Sequence, residues 1–216
     1  QDYDHWRQLG NTGWGWDDVL PNFLKAENQA ETNEAKSEKL HSQCGPLTVS
    51  DYPDHHELSE AFIAAAEQAG IPRNSDFNGP EQDGAGYYQI TTRAGRRAST
   101  AQAYLKPALS RSNLTVMTDV LVKTVRFDGK KATGVNLRKG KKNIEVTGRE
   151  VILSAGAINS PQLLQLSGIG DAEHLKSVGL DVVHDQKFVG QNLQDHLQAQ
   201  VVYRCKSPIT INDDLK

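Results

Sequence analysis

Residues 150–170 read EVILSAGAINSPQLLQLSGIG, and this stretch decides the fold class. Val151, Ile152 and Leu153 form an unbroken apolar run, the pattern of a strand covered on both faces. A strand is therefore expected over residues 150–154. Ala155, Gly156 and Ala157 follow with almost no side chain. Ser160 and Pro161 suit the cap and the first position of a helix. Leu163, Leu164 and Leu166 would face inward, and Ser167-Gly168-Ile169-Gly170 would end the helix. In open α/β sheets, ligands lie outside the carboxyl ends of strands, at such strand-to-helix turns. The helix start offers unpaired N–H groups and the positive end of a dipole. Bare backbone lets a flat ring or a diphosphate come close. The same turn also serves as plain architecture, so alone it names no ligand.

Downstream, Asp171 can cap a short helix ending near Gly179, with a strand expected over Leu180, Val182 and Val183. Upstream, residues 119–147 alternate apolar and polar positions. Val120, Val122, Val125 and Phe127 mark one strand, Val135 and Leu137 a second, Ile144 and Val146 a third. Asp128-Gly129 and Lys139-Gly140 mark the turns, so an antiparallel meander is expected. A helix is expected from Ser99 or Thr100 to about Leu109, disturbed by Pro107. Residues 73–97 are glycine-rich and irregular, a composition frequent in functional loops. The period of residues 55–69 predicts a helix with Leu58, Phe62, Ile63 and Ala66 inward, ended by Gly70. Residues 16–28 predict another, capped by Asp17 or Asp18, with Pro21 near its first turn and Val19, Leu20, Phe23 and Leu24 on one face. Residues 29–45 read as a polar surface loop.

Composition narrows the function. The chain has 216 residues, a net charge of −3 and two cysteines, Cys44 and Cys205. Mild negative charge argues against a nucleic-acid partner. The RKGKK run at 138–142 reads as a solvated hairpin turn, with no interleaved aromatics. Two distant thiols fit a reducing, cytoplasmic compartment. No apolar run is long enough to span a bilayer. The ends, QDYDHWRQLG and SPITINDDLK, read as cuts through a longer protein.

The string SAGAINSPQLLQLSGIG resembles the second signature of the glucose-methanol-choline (GMC) oxidoreductases, through Gly156, Ala157, Ser160, Pro161, Leu163, Leu164 and residues 167–170. DYDHW, GWGWDDVLPNF, GPLTVSD, DFNGPEQDGAGYYQ, GRRASTAQAYLKPA, NLTVMTD and VGQNLQDH are similar to the same family, in family order across essentially the whole chain. The likeness leans to the choline dehydrogenase and aliphatic alcohol dehydrogenase branch. It implies a mixed α/β fold: an incomplete Rossmann-like FAD-binding domain with an antiparallel meander and helices of the substrate domain. Residues 1–72 would be a helical segment partly on the substrate-domain side. Residues 73–97 would be a lid over the flavin, around Asn78, Gly79, Gly84 and Gly86. Residues 98–196 would be the middle of the FAD-binding domain, and 197–216 the start of the substrate-binding domain.

The resemblance further implies FAD as cofactor, with Ala155 and Gly156 beside it and the Val122 backbone on the adenine edge. It implies a small-molecule alcohol substrate, losing hydride to flavin N5. The family's GxGxxG loop and its catalytic pair, a histidine with a second histidine or an asparagine, are not among these residues, so no catalytic residue is assigned here. The isolated chain is expected to be inactive and, with apolar faces uncovered, prone to self-association; membrane association of a longer parent stays open. The alternatives are a family lyase that keeps FAD without redox chemistry, and a non-catalytic module.

Other candidates carry simpler readings. Asp195-His196 reads as a hydrogen-bonded structural knot rather than a catalytic dyad. No serine sits in a G-x-S-x-G elbow, and no His/Cys/Asp cluster has metal spacing. Trp6, Trp14 and Trp16 read as packing residues. Arg96 and Arg97 read as pinning the glycine-rich segment through salt bridges, with a cofactor phosphate as the alternative.

Overall fold

The computed structural model describes residues 2–30 and 39–210. The chain forms two compact units, Gln1–Leu114 with Tyr203–Lys216, and Thr115–Val202.

The first unit opens with α1 (Asp2–Gln8) and α2 (Trp16–Ala26). Gly15, not an aspartate, is the N-cap of α2, and Asp18 reaches back to accept from its N–H at 3.0 Å. Asp4 of α1 accepts from Trp16 N–H at 3.1 Å, so the first helix helps cap the second. Pro21 stands inside α2, further in than its sequence position suggests. Val19 is buried, whereas Phe23 is exposed and instead meets Tyr3 and Trp16 at ring distances of 5.7 and 6.3 Å. Trp6 packs edge-on against Trp14 at 5.7 Å, consistent with a packing role for the tryptophans.

The chain then enters β1 (Glu27–Gln29), which pairs in parallel with β2 (Leu47–Val49). Gln29 is therefore a buried strand residue rather than the start of a loop. Residues 31–38 of that expected loop lie outside the described residues. In α3 (Glu57–Gln68), His56 caps the first turn by accepting from Leu58 N–H at 3.1 Å. Ile63 is its buried residue; Phe62 is 62% exposed, contrary to expectation, although it shares a helix face with the half-buried Leu58 and Ala66. Gly70 follows at φ +87°.

Residues 73–91 are irregular, as expected, tied by single bridges at Arg73–Ala85 and Ser50–Ile90. A short hairpin, β3 (Thr92–Arg93) and β4 (Arg96–Arg97), closes the segment. A π-helical turn at Ala101–Leu105 runs into α4 (Lys106–Ala108), so the helix disturbed by Pro107 is present but short.

The second unit holds the expected meander: β5 (Val120–Asp128), β6 (Lys131–Lys139) and β7 (Lys142–Thr147) in antiparallel order. Val125 and Leu137 are its buried apolar residues. Residues 151–154 are not a strand, contrary to expectation, and Ile152 is 84% exposed. A parallel strand exists only as a member of a sheet, and no described segment pairs with this one. α5 spans Gly156–Leu166, starting earlier than Ser160-Pro161 implies. Strands β8 (Ile169–Gly170) and β9 (His184–Asp185) pair in parallel around α6 (Ala172–Ser177). Asp171 caps α6 as expected, accepting from His174 N–H at 2.8 Å. The expected strand at 180–183 lies slightly later, at β9, where Gly168 carbonyl takes the N–H groups of Val183 and His184.

Candidate cofactor-binding site

The N-terminal end of α5 is built by residues whose side chains are small. Ala155 is the N-cap, and Ser160 reaches back one turn to accept from its N–H at 3.0 Å. Ser160 thus closes the helix start from inside the helix, which corrects its reading as the cap. Pro161 sits inside α5 and leaves one backbone acceptor free there. Gly156 has φ +89°, a conformation natural to glycine, and a Cβ placed on it would meet nothing within 4 Å. Open space for a side chain thus lies beside Gly156 at the first turn of α5, where helix N–H groups have no intrahelical acceptor. Exposed Ile152 and Ile158 stand on either side of this junction in sequence.

The C-terminal end of α5 is anchored to β5. Ser167 Oγ accepts from Val125 N–H at 2.8 Å and donates to Leu163 carbonyl at 2.5 Å, and the residue is buried. Because β5 is an outer strand of its sheet, this hydroxyl satisfies a backbone donor that the ladder cannot reach. Val122 lies on the same outer strand, opposite Leu137 and beside an irregularity between Val122 and Thr124. Its side chain is 37% exposed, so it is only partly a core residue. Val122, Ala155 and Gly156 all belong to the second unit, with α5 packed on β5.

The first unit holds a polar cluster with no local sequence signal. His41, with a 4% exposed side chain, lies between two carboxylates. Nδ1 is 3.1 Å from Glu27 Oε1, and Nε2 is 2.9 Å from Asp76 Oδ2. Each ring nitrogen thus faces a carboxylate oxygen. The partners are separated by 14 and 35 positions, so no motif spacing could reveal them. Nearby, Asp76 Oδ1 accepts from Asn78 N–H at 3.1 Å, tying the glycine-rich segment to the same cluster. Among the described residues no group of three or more His, Cys, Asp and Glu is arranged to hold a metal ion.

Two further expectations need correction. Arg96 and Arg97 form no salt bridge among the described residues; with Arg93 and Lys106 they line a shared concavity. His196 is exposed rather than knotted into a polar cluster, and Asp195 accepts only from its backbone N–H, at 2.9 Å.

Comparison with known proteins places this geometry. Residues 1–198 match the profile of the GMC oxidoreductases. The chain is 44% identical over 217 residues to the mitochondrial choline dehydrogenase of Homo sapiens, covering 100% of this chain and 36% of that one. It is 44% identical over 215 residues to the oxygen-dependent choline dehydrogenase of Brucella suis biovar 1, covering 99% of this chain and 38% of that one. The chain thus spans a little over a third of the length of the curated relatives it matches. A solved FAD-dependent oxidoreductase from Chaetomium thermophilum superposes with a TM-score of 0.79 at 29% identity, over 85% of this chain and 34% of that one. Over nearly its whole length, then, this chain belongs to the GMC oxidoreductases, a family of FAD-binding proteins.

Proposed function

We propose that the full-length protein oxidises a small alcohol of the choline or primary aliphatic type, and that this chain forms part of the wall against which FAD lies. Bound FAD would supply the oxidising chemistry, accepting at N5 the hydride of the alcohol carbon. The contribution of this chain is positional. Ala155 and Gly156 leave room for a ring to approach backbone, and Ile152 and Ile158 add apolar surface beside them. Backbone N–H groups in the first turn of α5 have no intrahelical acceptor and suit electronegative ring atoms. Val122 offers the backbone of an outer strand, whose N–H and C=O groups can pair with an adenine edge without a polar side chain. The proton of the alcohol would be taken by a histidine outside these residues.

The observation that carries the reading is Gly156 at φ +89° facing open space, within the stretch that matches the family. Rapid mixing of the full-length protein with choline and with primary alcohols, following flavin absorbance, tests it. Bleaching by an alcohol supports redox chemistry. A flavin that stays bound and never bleaches would support the lyase reading instead.

A further inference from the structure

We propose that the first unit carries an anion-binding site of its own, built by Arg93, Arg96, Arg97, Lys106 and Thr48, and suited to a diphosphate-type ligand. The β3–β4 hairpin concentrates the charge. Its register sets Arg93 directly opposite Arg96, with Arg97 next in line. Like charges facing each other across a ladder repel. The two-residue turn between them places Ala94 at φ +49° and Gly95 at φ +70°, and the alanine is unfavourable there. Lys106 comes to the same place because it follows the π turn at Ala101–Leu105.

No acidic side chain pairs with any of these four cations among the described residues. The local excess of positive charge stands against a net charge of −3 for the chain. An ordinary solvated surface would scatter such charges or pair them.

A second observation is independent of charge. Thr48 of β2 lines the same concavity and is 5% exposed, yet its hydroxyl has no hydrogen-bond partner among the described residues. Buried hydroxyls are normally hydrogen-bonded, so an unpartnered one in this wall calls for a partner from outside the chain. Ser50 of the same segment bonds Thr92 Oγ1 at 2.6 Å, which holds the hairpin against β2. The concavity measures about 260 Å³. At roughly 30 Å³ per water, that is room for more than a single small ion.

Three planar guanidinium groups with one ammonium match the oxygens of a phosphate group, which arginine can bind bidentately. The hydroxyl of Thr48 would donate to a further oxygen. The shared chemistry is a diphosphate, whether it belongs to a dinucleotide or is free.

The test is titration of the full chain with inorganic pyrophosphate by calorimetry, with chloride at matched ionic strength as control. Pyrophosphate is expected to bind tenfold or more tightly than chloride, less so as salt rises (on the order of a Debye-screened interaction). Arg96→Gln should weaken binding by about tenfold and Thr48→Val by several-fold, with unchanged circular dichroism. Arg96→Lys should recover part of the loss. Competition by FAD but not by riboflavin would assign the diphosphate to a dinucleotide; competition by neither, with pyrophosphate still bound, would assign it to a free phosphate. Pyrophosphate binding no tighter than chloride, or unaffected by Arg96→Gln, would overturn the site. That result would leave the flavin reading intact, since Ala155, Gly156 and Val122 are tested by flavin content.

Discussion

Glu60 and Arg73 meet at 3.0 Å, one from α3 and one from the start of the glycine-rich segment. The hydrogen bond from Arg73 is the main cause that holds the Glu60 carboxyl below its ordinary value. The sign follows from linkage. A carboxylate whose folded value is depressed contributes stability above its unfolded value, and that contribution is lost as pH falls through the folded value. Thermal unfolding measured from neutral pH downward should therefore show Glu60's contribution fading below about pH 4.3, the ordinary glutamate value. In Glu60→Gln that part of the acid slope should be missing; an unchanged slope would remove Glu60 from the account. Single residues were also where sequence reading slipped. Ser160-Pro161 carries the usual cap signal, yet the helix begins at Gly156, and Ser160 stands inside it, accepting from Ala155 N–H. Ala155, Gly156 and Val122 carry no side-chain signal of their own, because the backbone contacts proposed for them leave no mark in side-chain chemistry.

At the level of elements, the join between α5 and β5 rests on one hydroxyl. Ser167→Ala would leave the Val125 N–H buried without its acceptor and remove the bond to Leu163 carbonyl. The expected loss is about 2 kcal/mol, within the range for a buried unsatisfied group. Urea denaturation checks it, and a midpoint equal to that of the parent chain would mean that the join is held otherwise. Elements made by local pairing were legible: the meander, whose turns fall at Gly129-Lys130 and Gly140-Lys141, each one residue later than Asp128-Gly129 and Lys139-Gly140 suggest, and α6 with its Asp171 cap. Elements made by distant pairing were not. Strand β1 pairs with residues 20 positions on, at Glu27–Leu47, and nothing in either triplet announces the other. The apolar run at 151–153 shows the converse case, strand-like in composition but unpaired. The cluster of Glu27, His41 and Asp76, and the four cations around Thr48, depend on the same long-range folding.

At the scale of the whole molecule, large apolar side chains stand exposed in both units. Ile152, Leu197 and Val202 are 84%, 98% and 86% exposed. Such surface is what further parts of a longer protein would cover, and we propose that, left bare, it would favour association between copies. The chain alone is predicted to oxidise neither choline nor primary alcohols, with or without FAD, because hydride transfer needs donor, flavin and base held together. Turnover with an artificial electron acceptor that co-purifies with this chain would refute that prediction. Among the described residues no helix is long and apolar enough to cross a membrane. The central claim, that the Ala155–Gly156 junction is part of the FAD wall, is tested most directly by the flavin content of purified full-length Gly156→Leu and Gly156→Ala. Both variants carry the same strain at φ +89°, so their difference isolates the bulk of the side chain. The account predicts that Gly156→Leu binds FAD about tenfold or more weakly than Gly156→Ala, with circular dichroism unchanged. Equal and full flavin content in the two variants would contradict it.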